Sequence, residues 1–262
     1  MNKQETTRKL WTSGEQGGLA PIAGTVARLP LNDAGADSPV ATEFHRLYGR
    51  LAKMDTQRKL SVVLVTSARR GEGKTTTSAC LAQVAAMHSK KKVVVVDCDL
   101  RKPRLHSLFG VSQRVGLADA LTSLLPLSSV VKNTELPNLR LVTSGRGIGV
   151  PTTLFESSVF KDIVGELRAN FDFVILDTAP VLPVSDAFVI SGHCDGVLLV
   201  VMAGRTPMEV IARAGSLLHE GGANVLGAVI NNADEVLPYY YDYHYYGYRD
   251  EKRTKKDSKS EG

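Results

Sequence analysis

The stretch "SVVLVTSARRGEGKTTTS", residues 61–78, joins a run of β-branched residues to a glycine-containing turn and then to a run of small residues suited to a helix. Set against the pattern G-x-x-x-x-G-K-[ST], the turn supplies Gly73, Lys74 and Thr75 and carries Ala68 where the first glycine would stand. A strand that feeds such a turn and then a helix aims backbone N–H groups and a helix N-terminus at one point, an arrangement that suits a polyphosphate. Ala68, Gly71, Glu72, Gly73, Lys74, Thr75 and Thr76 form the expected nucleotide-binding set. Gly71 and Gly73 let the backbone approach the phosphates, Lys74 bridges the outer phosphates, the Thr75 hydroxyl reaches Mg²⁺, and Thr76 touches an inner phosphate.

Further apolar runs follow this loop's helix: "VVVVD" (93–97), "LRLVTS" (139–144), "FVILD" (173–177), "GVLLVVMA" (196–203) and "VLGAVINN" (225–232). Segments of helical length, such as "SSVFKDIVGELRANF" and "TPMEVIARAGSLLHEGG", separate most of them. Unbroken apolar strands alternating with helices predict an α/β fold with a mainly parallel central sheet covered on both faces. Ligands of such sheets bind beyond the carboxyl ends of the strands, so residues immediately after each run are the places to search. Two runs end in acids. Asp97 and Asp99, two positions apart on extended chain, point the same way and can serve one metal-bound water shell or one proton acceptor. Asp177 closes a strand as an acid that holds Mg²⁺ through water does.

Residues 1–39 are rich in Gly, Pro, Ser, Asp and Thr and read as a flexible extension; the domain proper is expected over 40–237, opening with a helix at "SPVATEFHRLYGRLAKM" capped by Ser38 or Thr42. Residues 238–262 form a polar tail that contains seven of the chain's eight tyrosines: Tyr239, Tyr240, Tyr241, Tyr243, Tyr245, Tyr246 and Tyr248. The net charge of +5 is spread along the chain, and its densest basic run is interleaved with acids, which argues against a nucleic-acid surface. Cys80, Cys98 and Cys194 have neither disulfide-framework nor zinc-site spacing, in keeping with a reducing cytoplasm. No apolar run approaches the roughly 20 residues that span a bilayer, and the N-terminus lacks the apolar stretch of a secretory signal.

With these residues in view, the chain resembles the bacterial tyrosine kinases, cytoplasmic autokinases of capsule and exopolysaccharide systems. "ARRGEGKTT" matches the family's Walker A motif, "VVVVDCDLR" its additional A′ motif and "VILDTAP" its Walker B motif. The resemblance implies a P-loop fold of the deviant-Walker type with MgATP over residues 68–76. It gives catalytic roles to Lys74, Asp97, Asp99, Arg101 and Asp177, and a metal shell to Thr75, Asp97 and Asp177. Asp99 would accept or orient the tyrosine proton, Arg101 would steady Asp99 or the transferring phosphoryl group, and Asn231 would hydrogen-bond the adenine. The seven clustered tyrosines would be autophosphorylation sites, used in trans within a ring that accumulated phosphate charge then disperses.

The same three motifs occur in partitioning and positioning ATPases, the alternative reading; their signature lysine is replaced here by Arg69. Other departures are Arg70 and Ala179, each in place of a family proline. The family's oligomerisation motif E-x-x-R-x-x-R appears as Glu43, Arg46 and Arg50, the last arginine one place late and so turned by about 100° on a helix. The resemblance further implies a membrane adaptor of the polysaccharide chain-length (co-polymerase) type, a homo-oligomer, a cognate tyrosine phosphatase, and recruitment to the inner face of the plasma membrane.

Overall fold

The computed structural model describes residues 31, 38–58, 60–88, 91–123, 125–146 and 151–233. The tyrosine cluster and nearly all of the N-terminal extension therefore lie outside the described residues. Seven strands form one sheet in the order β3-β4-β2-β5-β1-β6-β7. They span Val62–Ser67 (β1), Val93–Asp97 (β2), Val131–Asn133 (β3), Leu139–Val142 (β4), Phe173–Asp177 (β5), Gly196–Met202 (β6) and Val225–Asn231 (β7). All pairings are parallel except β3 with β4. The six strands expected from apolar runs are present; β3, a three-residue antiparallel edge, is an addition.

The alternation within each strand divides the core in two. Val62, Leu64, Val94, Val96, Val174, Leu176, Val197 and Leu199 face one side with Phe155, Phe160, Leu167 and Leu218. Those partners come from α6 (Pro151–Phe155), α7 (Ser158–Asn170) and α9 (Met208–Glu220). Val63, Val65, Val93, Val95, Phe173, Ile175, Leu198 and Val200 face the other side with Leu51, Leu81 and Leu105. That layer is built by α1 (Pro39–Arg58), α2 (Lys74–His88) and α3 (Leu105–Leu108). Two short helices, α4 (Leu117–Ser123) and α5 (Leu127–Val130), precede β3, and α8 (Asp186–Ser191) precedes β6.

The helix after the loop, α2, is buried at ten consecutive positions from Thr77 to Ala86. It runs between the sheet and α1, so no face is left to solvent and small residues such as Ala79, Ala82, Ala85 and Ala86 permit the close approach. The first helix begins as expected, with Ser38 Oγ accepting from the Ala41 N–H at 3.1 Å. Leu31, eight residues upstream of Pro39 and within the expected flexible extension, is buried beside Ala41, Cys80 and Val84. Glu43 and Arg46 pair with each other along α1, and Arg50 is exposed. Among the described residues no helix is long and apolar enough to cross a membrane.

A polar tie closes the sheet's far end. Asp195 accepts from the Ser61 and Val62 N–H groups at 2.8 and 2.7 Å and pairs with Arg168 at 2.7 Å. Burial opposes the charged form of Asp195, but Arg168 and the two backbone donors outweigh it and hold the carboxyl below its ordinary value of 3.8. Its stabilisation is complete above that value and is lost as the pH falls below it toward the lower folded-state value. Asp195→Ala is expected to cost about 1–3 kcal/mol at pH 7, since it leaves two strand-end donors and an arginine without their acceptor. Denaturant titrations should show this gap narrowing as the pH falls below 3.8; a gap that does not change with pH there would refute the ionic origin.

Candidate active site

The carboxyl ends of β1, β2 and β5 lie side by side, with Asp97 registered against Asp177 and Val65 against Asp177. The three motifs therefore meet at one edge although they are far apart in sequence. At the turn after β1, Gly71 and Gly73 have φ of +83° and +93°, which only glycine adopts without strain. A side chain at Gly73 would also collide with the Asn231 amide.

Lys74 opens α2 and donates to Asp99 Oδ2 at 2.8 Å; their side chains are 13% and 5% exposed. Burial works against the charged amine, but Asp177 and Asp99 more than compensate and raise its pKa. Asp99 Oδ1 accepts from the Lys102 N–H at 3.0 Å, which fixes the carboxylate from behind. Lys74 Nζ also lies 3.3 Å from Thr75 Oγ1.

Asp177 is fully buried. The Ser78 hydroxyl, 2.9 Å from the Lys74 carbonyl, is 3.2 Å from Asp177 Oδ1. Oδ2 has no hydrogen-bond partner among the described residues, although the Thr75 hydroxyl is near enough to favour the charge. Burial pushes the Asp177 carboxyl up to about 6 against the pull of Lys74. A buried, unpartnered carboxylate oxygen beside a threonine hydroxyl is a poor final state for a protein interior and a good donor set for a hydrated Mg²⁺.

Two of the expected residues make contacts that the sequence does not reveal. Asp97, placed by sequence in the metal shell, has both oxygens committed to backbone: Oδ1 accepts from Asp99 N–H at 3.2 Å, and Oδ2 from Arg104 and Leu105 N–H at 3.1 Å each. It holds the A′ turn and the start of α3 in place; burial, followed by the Asp177 charge, raises its pKa well above the ordinary value. Arg101, expected to steady Asp99 or the transferring phosphoryl group, pairs with Asp186, because the turn after β2 carries its side chain toward the start of α8.

The structure also adds a clamp that the motif pattern does not reveal. The Glu72 carboxylate is buried, accepting from the Arg69 N–H at 2.7 Å and from the Thr206 hydroxyl at 2.6 Å. It thus ties the loop to the segment between β6 and α9. Asn231 Nδ2 donates to the Glu72 carbonyl at 3.0 Å and its Oδ1 accepts from the Asn232 N–H, so this side chain braces the loop at Gly73. Ala68 is buried, whereas Thr76 is exposed at the first turn of α2. An acid between two glycines was the only sequence signal for the Glu72 clamp; nothing in the spacing points to Thr206.

Residues 60–212, more than half of the chain, match the family of AAA domains. The tyrosine-protein kinase YwqD of Bacillus subtilis (strain 168) is 37% identical over 193 residues, covering 74% of this chain and 80% of that protein. The crystal structure of the chimerical protein CapA2B2 superposes with a TM-score of 0.72 at 27% identity, covering 78% of this chain and 92% of that one. The kinase domain of Escherichia coli tyrosine kinase ETK gives a TM-score of 0.66 at 30% identity, covering 71% and 72%. A phosphate-binding loop alone is common to many nucleotide enzymes, but a match of this length on both sides of it is not, and the chain belongs to the bacterial tyrosine kinases.

Proposed function

We propose that this tyrosine kinase transfers the γ-phosphoryl group of ATP to its own C-terminal cluster, Tyr239 to Tyr248, acting in trans within an oligomer. The observation that carries the reading is the contact of Lys74 with Asp99 at the mouth of the loop, 2.8 Å long and nearly buried. It pairs the cation needed on the phosphates with the carboxylate suited to take a phenolic proton. Lys74 and the 71–76 backbone would hold the polyphosphate. Thr75 and Asp177 would hold Mg²⁺, which neutralises phosphate charge when bound. Asp99 would orient the tyrosine hydroxyl and accept its proton, and Asp97 would keep the turn in register.

The domain organisation follows: residues 40–237 as the kinase, 1–39 and 238–262 as its extensions. Each phosphate adds about −1.5 to −2 charges, so several within ten residues would repel and disperse an assembly, here through α1 with Glu43, Arg46 and Arg50. Regulation of capsule or exopolysaccharide synthesis would follow from that cycle. It would involve a membrane adaptor of the co-polymerase type that draws the kinase to the inner face of the plasma membrane, and a phosphatase that resets it.

The test mixes two full-length chains with MgATP: a Lys74→Met chain as acceptor, and a chain with all seven clustered tyrosines changed to phenylalanine as enzyme. Mass spectrometry of residues 238–249 should find phosphotyrosine on the acceptor. Its absence, with ATP still hydrolysed, would overturn the trans reading and favour an ATPase that uses water.

A further inference from the structure

Arg101 and Asp186 lie 85 positions apart in sequence, yet the fold closes them into a side-on pair. Nε donates to Asp186 Oδ2 at 2.8 Å and Nη2 to Oδ1 at 3.1 Å. The Thr152 hydroxyl, on α6, donates to the same Oδ1 and lies 3.3 Å from Arg101 Nη2. The A′ turn, the start of α6 and the start of α8 thus meet on one carboxylate.

Asp186 is fully buried, whereas the Arg101 side chain is 30% exposed. A buried carboxylate is costly unless its acceptors are filled. Here they are filled by a cation that reaches back toward solvent at the edge where Lys74 and Asp99 stand. The side-on grip uses Nε and Nη2 and leaves Nη1 without an acceptor among the described residues. A guanidinium held by one edge cannot turn in its plane, so its other edge has a fixed direction. Arg101 follows Asp99 by two residues on the same turn, and the Asp99 charge reaches it after those of its direct partner.

We propose that Asp186 is the positioning residue for phosphoryl transfer, holding Arg101 side-on so that its free Nη1 edge meets the transferring phosphoryl group; this rests on the site assigned above. In that step the tyrosine oxygen bonds to the γ-phosphorus as the bond to the β,γ-bridging oxygen breaks. ADP leaves with the electron pair, and the phenolic proton passes to Asp99. Asp186 does not touch the reactants. Its contribution is orientational, which distinguishes it from a residue that only supports the fold.

The experiment compares full-length Asp186→Asn, Arg101→Ala, Arg101→Lys and the Asp186→Asn/Arg101→Ala double variant. Tyrosine phosphorylation and ATP hydrolysis are both followed, with ATP affinity measured by fluorescence titration. Asp186→Asn keeps the volume and one acceptor and should lower kcat by about ten- to a hundredfold while KM for ATP stays within about threefold. The double variant should be no slower than Arg101→Ala, and Arg101→Lys should not recover, because an ammonium has no second edge to present. Wild-type kcat in Asp186→Asn, or losses that multiply in the double variant, would overturn the proposal. If Asp186→Asn does not fold, Asp186→Glu keeps the charge and displaces the grip by one methylene: reduced kcat at unchanged ATP affinity supports the proposal, and wild-type kcat overturns it. A wild type that hydrolyses ATP without making phosphotyrosine would refute the acceptor assignment alone, since loss of hydrolysis in Asp186→Asn still reports the orientation of Arg101.

Discussion

Lys74→Met should abolish tyrosine phosphorylation, with a rate loss of at least about a thousandfold, or roughly 4 kcal/mol of transition-state stabilisation. Phosphoryl transfer asks the protein for positioning and charge neutralisation more than for covalent chemistry. Lys74 is placed for both: it opens α2 at the phosphate loop, is 13% exposed, and is kept charged by Asp177 and Asp99. Methionine reproduces the stem and removes the charge, so the loop geometry set by Gly71, Gly73 and Glu72 should survive. Circular dichroism is expected to be unchanged. Initial rates with labelled ATP, read beside mass spectrometry of residues 238–249, provide the check. A variant that keeps more than about a tenth of the wild-type rate would show that Lys74 is not the principal phosphate cation.

Much of this site is legible in the sequence, and the limits are physical. Strands β1, β2, β4, β5 and β6 announce themselves as apolar runs because a parallel sheet covered on both faces needs apolar side chains on consecutive positions; β7, at the sheet edge, is also an apolar run although none of its residues is buried. Val131–Asn133 gives no such signal: three residues at an antiparallel edge, none of them buried, carry no period to detect. The convergence of Lys74, Asp99 and Asp177 follows from motif spacing because it depends on local placement at neighbouring strand ends. The contacts of Asp97 and Arg101 do not follow, because each depends on what the folded chain brings to the carboxylate or the guanidinium. For Asp97 that is the backbone of residues up to Leu105; for Arg101 it is an acid 85 positions away. Glu72 is a related case, since its backbone belongs to the loop while its side chain works on Thr206, 134 positions later.

Asp99→Asn separates the two tasks that the Lys74 contact combines. Asp99 Oδ2 accepts from the amine that the phosphates would engage, while Oδ1 accepts from the Lys102 N–H. Asparagine can still accept from Lys102 through its carbonyl oxygen, so the turn should hold its shape. It offers Lys74 no charge, and it cannot take a proton from a phenol. ATP therefore no longer has to displace a charge-assisted hydrogen bond, worth about 1.5–3 kcal/mol, to engage Lys74. The expected outcome is a kcat for tyrosine phosphorylation lower by about a hundredfold or more, the order associated with loss of a general base. ATP should bind as tightly as to the wild type or tighter. Weaker ATP binding at unchanged kcat would assign Asp99 to holding the nucleotide; unchanged values of both would leave the Lys74 contact without a catalytic role. The predicted split, slower transfer with undiminished ATP affinity, is the signature of a group that acts on the acceptor hydroxyl and competes with ATP for the lysine.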